Sequence, residues 1–141
     1  MNLLLLLILV PTVAALAAFV LRSAPWRRRL LVATAAGHTA FTAAAAWRRP
    51  PPPLAGDWLA LDDLGLLFLG ITSILFLAAA VYAAGYLAHE KHGAPPDQAE
   101  PFLFVNAPEA TFIGCLLLFL ATMSLVCLTQ RFGLLWVGLE A

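Results

Sequence analysis

Four long apolar runs constrain the fold of this 141-residue sequence more than any other feature. A helix needs about 20 consecutive apolar residues to cross the hydrocarbon core of a bilayer. Runs of that order occupy residues 3–21, 30–47, 64–88 and 110–129, and a shorter fifth run covers 132–141. We therefore predict an all-α protein with one membrane domain, a polytopic transmembrane helix bundle of four complete spans plus the start of a fifth.

The composition supports a membrane protein and excludes two other classes. Hydrophobic residues make up 62% of the chain and charged residues 11%, whereas soluble domains are about half apolar and about a quarter charged. The formal net charge is zero, and the arginines form short clusters between apolar runs. A nucleic-acid-binding protein concentrates its basic residues on one face. We therefore expect the lipid bilayer as a partner and no nucleic acid.

The distribution of basic residues predicts the orientation in the membrane. Arg22 and the arginines at 27–29 follow the first apolar run, and no Lys or Arg precedes it. That order is typical of a retained helix rather than a cleaved signal peptide. With the N-terminus outside, the inner loops hold five basic residues and the outer loops three. The bias predicts a multi-pass protein of the cell inner (plasma) membrane with its N-terminus outside.

The segment before the third run carries local structure signals. The stretch DWLALD alternates weakly between polar and apolar residues, which is compatible with a short strand. Asp62 or Asp63 follows it at the expected start of the third helix. A carboxylate there accepts hydrogen bonds from the free N–H groups of the first turn. We predict that one of these two residues caps the helix.

Glu140 is the first candidate functional residue. It lies eight residues after Phe132, where the fifth run begins. On a helix that distance is about 12 Å, close to the middle of a hydrocarbon core about 30 Å thick. An ionised carboxylate at that depth is costly unless it is neutralised, paired or in contact with water. We interpret Glu140 as a proton-relay carboxylate; the alternative is a polar tail that bends back to the interface.

His38 is the second candidate, ranked behind Glu140. It lies within the second apolar run, beside three threonines. It is either a proton relay or a histidine whose hydrogen bonds serve helix packing. The cluster HEKH at 89–92 lacks the spacing that places two histidines on one helical face, so we interpret it as a solvated helix end. The sequence predicts no catalytic residue, no metal site and no cofactor.

Three stretches occur in the order found in one membrane family: WLALDDLGLLFLGI, YAAGYLAHEKHG and FLATMSLVCLTQRFGLLWVGLEA. They resemble the antiporter-like, proton-translocating subunits of respiratory complex I (NADH:quinone oxidoreductase), group 4 hydrogenases and multisubunit cation/proton antiporters. The branch of hydrogenase-4 component F is the most similar. The resemblance covers roughly residues 57–141. Its specific parts are the closing WVGLEA and the element formed by Gly85, Tyr86, His89 and Glu90.

The resemblance implies a function. Members of that family carry a buried glutamate on their fifth helix, paired with a lysine on the seventh, and Glu140 matches the glutamate in position and context. It implies a subunit that takes part in proton or cation translocation within a respiratory or hydrogenase-type oxidoreductase complex. Its partners would be other membrane subunits, and this chain would hold no redox centre. The family's lysine-bearing helices lie beyond Ala141, so the resemblance implies an N-terminal part. The alternatives are a structural membrane scaffold and a truncated, non-conducting fragment.

Overall fold

The structure is a computed structural model that describes residues 3–48, 53, 58–89 and 107–140. Five helices account for nearly all of these residues: α1 (Leu3–Val20), α2 (Ala24–Arg48), α3 (Asp63–His89), α4 (Ala107–Leu128) and α5 (Phe132–Glu140). The first four are long and apolar enough to cross a membrane. The predicted all-α transmembrane helix bundle is therefore confirmed, and α5 has nine described residues.

Helix α2 begins at Ala24 rather than at Leu30, the predicted start. The three arginines at 27–29 interrupt the apolar run, but arginine is a good helix former. Pro25 lies in the first turn, where a missing N–H removes no intrahelical hydrogen bond. Arg27 Nη1 donates to the carbonyl oxygen of Leu21 at 2.7 Å, just beyond the end of α1. Hydropathy therefore identified the apolar part of α2, and the helix extends beyond it toward the N-terminus.

The start of α3 has the predicted cap. The Gly65 N–H donates to Asp62 Oδ1 at 2.7 Å, so Asp62 satisfies one of the free donors of the first turn. Gly65 also allows a close approach between α3 and α4. A Cβ built there would lie 2.5 Å from the Cys127 carbonyl oxygen. A larger residue at position 65 would push the two helices apart.

The prediction of a short strand at DWLALD is wrong for its described residues. They contain one isolated antiparallel bridge, between Leu59 and Thr129. The Ala60 N–H donates to the Leu128 carbonyl at 2.9 Å, and the Gln130 N–H donates to the Trp58 carbonyl at 3.1 Å. A longer ladder has no room, since Asp62 already caps α3 and α5 begins at Phe132. The pairing ties the connection before α3 to the connection after α4.

The interior of the bundle has two apolar clusters. The first cluster lies toward the C-terminal end of α1 and the N-terminal end of α2 and includes Ala15, Leu31, Ala80 and Leu117. The second cluster lies toward the opposite end and includes Leu4, Ala45, Leu69 and Leu128. Alanine is frequent in the first cluster, and small side chains let membrane helices approach closely. Some buried polar residues of α2, α3 and α4 lie between the two clusters along each helix: His38, Thr42, Ser73 and Ser124.

Candidate functional site

Four buried polar side chains from three helices meet between the two apolar clusters. They are His38 and Thr42 of α2, Ser73 of α3 and Ser124 of α4, and we call this group the His38 centre. Each of the four residues is only 0 to 5% exposed. Polar groups at such positions require hydrogen-bond partners, because a buried polar group without a partner destabilises the folded protein.

Both nitrogens of the His38 ring have a hydroxyl partner, each on a different helix. Nδ1 lies 3.0 Å from Ser73 Oγ, and Nε2 lies 2.8 Å from Ser124 Oγ. Thr42 Oγ1 lies 3.0 Å from Ser73 Oγ. The four side chains therefore form one hydrogen-bonded chain, in the order Thr42, Ser73, His38, Ser124. The direction of each bond depends on which ring nitrogen carries the proton.

The hydroxyl groups of the His38 centre also reach the backbone of their own helices. Ser73 Oγ lies 2.7 Å from the Leu69 carbonyl oxygen, and Ser124 Oγ lies 2.7 Å from that of Leu120. This contact with the preceding turn is common for serine and threonine within helices. Each serine can thus direct its single proton to the backbone carbonyl or to the imidazole, and Ser73 can also direct it to Thr42 Oγ1.

His38 was predicted as a candidate from the sequence, but its two serine partners were not. Ser73 and Ser124 lie 35 and 86 residues away along the chain. A serine inside an apolar span signals a buried polar group, because its hydroxyl needs a partner that lipid does not supply. That signal was present at both positions, but it did not indicate which other helix supplies the partner.

Glu140 lies on α5, which packs back along α4. Gly138 is buried against α4, and a Cβ there would lie 2.9 Å from Val126 Cγ2 and 3.6 Å from the Thr122 carbonyl oxygen. The glutamate follows two residues later, about 12 Å along the helix from Phe132. Its side chain is exposed, as are those of Trp136 and Val137. Within the described residues, no hydrogen bond or ion pair involves the Glu140 carboxylate.

The structure does not bring the two predicted site residues together. His38 lies among α2, α3 and α4, with the Leu7 carbonyl of α1 also beside its ring, whereas α5 contacts α4 alone among the described helices. Glu140 is therefore on the outside of the described bundle, and His38 is inside it.

A third polar contact, between Arg28 and Glu109, was not foreseen from the sequence. Arg28 Nε and Nη2 donate to Glu109 Oε1 and Oε2, both at 2.9 Å. The two residues are 81 positions apart, and the pair joins the N-terminal ends of α2 and α4. Glu109 is 5% exposed and lies where a carboxylate suits the helix dipole. This bidentate pair links α2 to α4 at one end of the bundle.

The HEKH cluster lies mostly outside the described residues, and only His89 can be placed. It is the last residue of α3, is exposed, and its Nδ1 lies 2.8 Å from the Gly85 carbonyl oxygen. Across the described ranges, no group of three or more His, Cys, Asp or Glu side chains is arranged to hold a metal ion.

These features define a class: an all-α membrane protein whose transmembrane helices enclose a buried polar centre. No protein-family model, curated protein or solved structure matches the chain.

Proposed function

We propose that this chain is a membrane subunit that takes part in proton (or cation) translocation within a respiratory or hydrogenase-type oxidoreductase complex. Glu140 is its intramembrane proton-relay carboxylate. One observation carries the proposal: an exposed carboxylate stands about 12 Å along an apolar helix that packs against the transmembrane helix α4. The resemblance of residues 57–141 to antiporter-like subunits supports the same conclusion and names the kind of complex.

The position of Glu140 has a physical consequence in a bilayer. A carboxylate in the apolar layer is tolerated when it is protonated, paired with a cation or hydrated. Gly138 turns one face of α5 toward α4, and the Glu140 side chain remains exposed for a partner outside the described residues. A lysine of another helix, if it approached, would favour the ionised form and release the proton, and its withdrawal would favour proton uptake. The approach and withdrawal of one cation would thus be sufficient for the Glu140 carboxylate to release and take up a proton.

Proton transfer by the intact complex tests this proposal. Glu140→Gln keeps the length and hydrogen-bonding capacity of the side chain and removes its titration. The proposal expects proton transfer to be lost while the complex still assembles. Transfer at the wild-type rate would show that Glu140 takes no part in it.

One observation favours a structural scaffold as the second candidate. The His38 centre and the Arg28–Glu109 pair both link helices that are distant in sequence. Polar contacts of this kind stabilise a bundle without any transport. The scaffold predicts that Glu140→Gln leaves proton transfer unchanged, so the same experiment separates the two functions.

The proposed orientation places the N-terminus outside the inner (plasma) membrane, with the Arg22 end in the cytoplasm. Cysteine labelling of intact cells tests it in a background in which Cys115 and Cys127 are replaced by alanine. We expect a Ser23→Cys reporter to react with an impermeant reagent only after permeabilisation. A Gln130→Cys reporter, at the opposite end of the bundle, should react from outside. The reverse pattern would contradict the proposed topology.

A further inference from the structure

We propose that the His38 centre is an intramembrane proton site, at which the imidazole binds a proton and can exchange it through either ring nitrogen. This goes beyond the proposed function because it assigns proton binding to the interior of α2, α3 and α4. It requires neither Glu140 nor any residue outside the described ranges. The inference rests on donor and acceptor positions rather than on the presence of a histidine alone.

The available protons determine which hydrogen bonds can form. A neutral imidazole carries one N–H, so it donates at one nitrogen and accepts at the other. If Ser73 and Ser124 both donate to their backbone carbonyls, their oxygen atoms can only accept from the ring. Both ring nitrogens must then carry protons, and only the imidazolium meets that condition. If the imidazole is neutral, one of the two serines must turn its proton toward the ring.

Rotation of a serine hydroxyl leaves no buried carbonyl unsatisfied. The carbonyl groups of Leu69 and Leu120 lie inside α3 and α4, where each accepts the backbone N–H four residues later. The serine proton is therefore a second donor to those oxygen atoms and can leave without exposing an unpaired acceptor. The same heavy-atom positions accommodate three states of His38: two neutral tautomers and the imidazolium.

The His38 ring has partners of two kinds. The Leu7 carbonyl oxygen of α1, which also lies beside the ring, can only accept and favours a ring N–H that faces it. Ser73 and Ser124 can each donate or accept, so either nitrogen can carry the proton. The His38 ring can thus gain a proton at one nitrogen and lose one from the other, with no net change of charge and no movement of a helix. Each such passage converts one tautomer into the other.

The charged groups of the surrounding helices lie at the ends of the bundle. Along α2, His38 is about 15 Å from Arg28. The nearest titratable side chain on α4 is the half-buried thiol of Cys127, about one turn beyond Ser124. The charged or titratable residues at the ends of these helices are Arg27, Arg28, Arg29, His89 and Glu109 on one side and Arg48, Asp62, Asp63 and Arg131 on the other. The groups that lie beside the His38 ring among described residues are the Ser73 and Ser124 hydroxyls and the Leu7 carbonyl, and none of them is charged.

Solid-state ¹⁵N NMR of the full chain in lipid bilayers tests the proposal directly. The chain has three histidines, so His89→Gln with His92→Gln leaves His38 as the only ¹⁵N-labelled histidine. We expect both neutral tautomers at high pH and reversible conversion to a doubly protonated ring as the pH falls. A single neutral tautomer from about pH 4 to about pH 9, a range that brackets an ordinary histidine titration, would overturn the proposal.

Two serine variants and two controls make the result specific. Ser73→Ala removes the partner of Nδ1 and should shift the tautomer ratio about fivefold toward Nε2–H, the effect of one ordinary hydrogen bond. Ser124→Ala should shift it by a similar factor toward Nδ1–H. Thr12→Ala removes a hydroxyl that donates to the Ile8 carbonyl within α1, and the ratio should not change. Equal ratios in both serine variants would contradict the proposal.

The remaining control separates this site from the proposed function. Glu140→Gln should leave the His38 spectrum as it is, because α5 contacts α4 only, on the outside of the bundle. A normal His38 titration together with normal proton transfer in Glu140→Gln would refute the role of Glu140 alone. A single His38 tautomer together with lost transfer in that variant would refute the His38 site alone.

Discussion

Replacement of Glu140 by glutamine is expected to lower proton transfer by the intact complex about 100-fold or more. Positioned proton-transfer groups contribute factors of about 10² to 10⁴, and glutamine cannot carry a transferable proton in this range. Glu140→Asp should retain part of the activity, because it keeps a carboxylate but draws it back by one methylene. The measurement is the initial rate of proton uptake into vesicles that contain the assembled complex, normalised to the amount of complex.

The matched control for Glu140 is Asp63→Asn. Asp63 is an exposed carboxylate at the start of α3, at the end of a span rather than within it. The chemical change is the same, so a general effect of lost negative charge would appear in both variants. We expect the control to transfer protons at nearly the wild-type rate. Equal losses in both variants would contradict a specific role for Glu140.

Loss of the Arg28 guanidinium is expected to destabilise the bundle by about 3 kcal/mol. Removing one partner of a buried ion pair costs about 3–5 kcal/mol, because the other charge stays buried and loses that partner. In Arg28→Ala that charge is the Glu109 carboxylate, which is 5% exposed. The Arg28 side chain is 18% exposed, so the lower end of the range applies. The measurement is the free energy of unfolding in mixed micelles, followed by circular dichroism.

Arg29→Ala is the control for the loss of Arg28. Arg29 is the next residue and is exposed, with its guanidinium carbon 5.3 Å from the ring centroid of Trp26. An exposed cation–π contact of this kind contributes about 0.5–1 kcal/mol. Arg28→Lys should fall between the two, because lysine keeps the charge and loses the two-pronged geometry. If Arg29→Ala destabilised the bundle as much as Arg28→Ala, the ion pair would not be the cause.

The fold was predictable because length and apolarity alone decide whether a helix can span a bilayer. Hydropathy located the four spans, and the cap at Asp62 followed from local rules for helix starts. The start of α2 was misplaced, because arginine lowers hydropathy without opposing helix formation. Hydropathy and local capping rules were sufficient for these features because each depends on residues that are close together in the sequence.

The polar contacts between helices were not predictable in the same way. Arg28 pairs with Glu109 across 81 residues, and the hydroxyl partners of His38 come from two other helices. Which residues meet depends on the relative rotation of the helices, and an all-round apolar helix carries little information about its rotation. The position of Glu140 along α5 followed from the rise per residue, whereas the side on which it is exposed depended on Gly138 packing against α4.

Infrared difference spectroscopy of the intact complex during turnover tests the central claim most directly. The claim is that Glu140 gains and loses a proton inside the membrane. We predict a carboxylic acid C=O band that appears or disappears on turnover, shifts in ¹³C-glutamate-labelled protein and is absent in Glu140→Gln. Identical difference spectra for the wild type and Glu140→Gln, in complexes that turn over equally, would contradict the account.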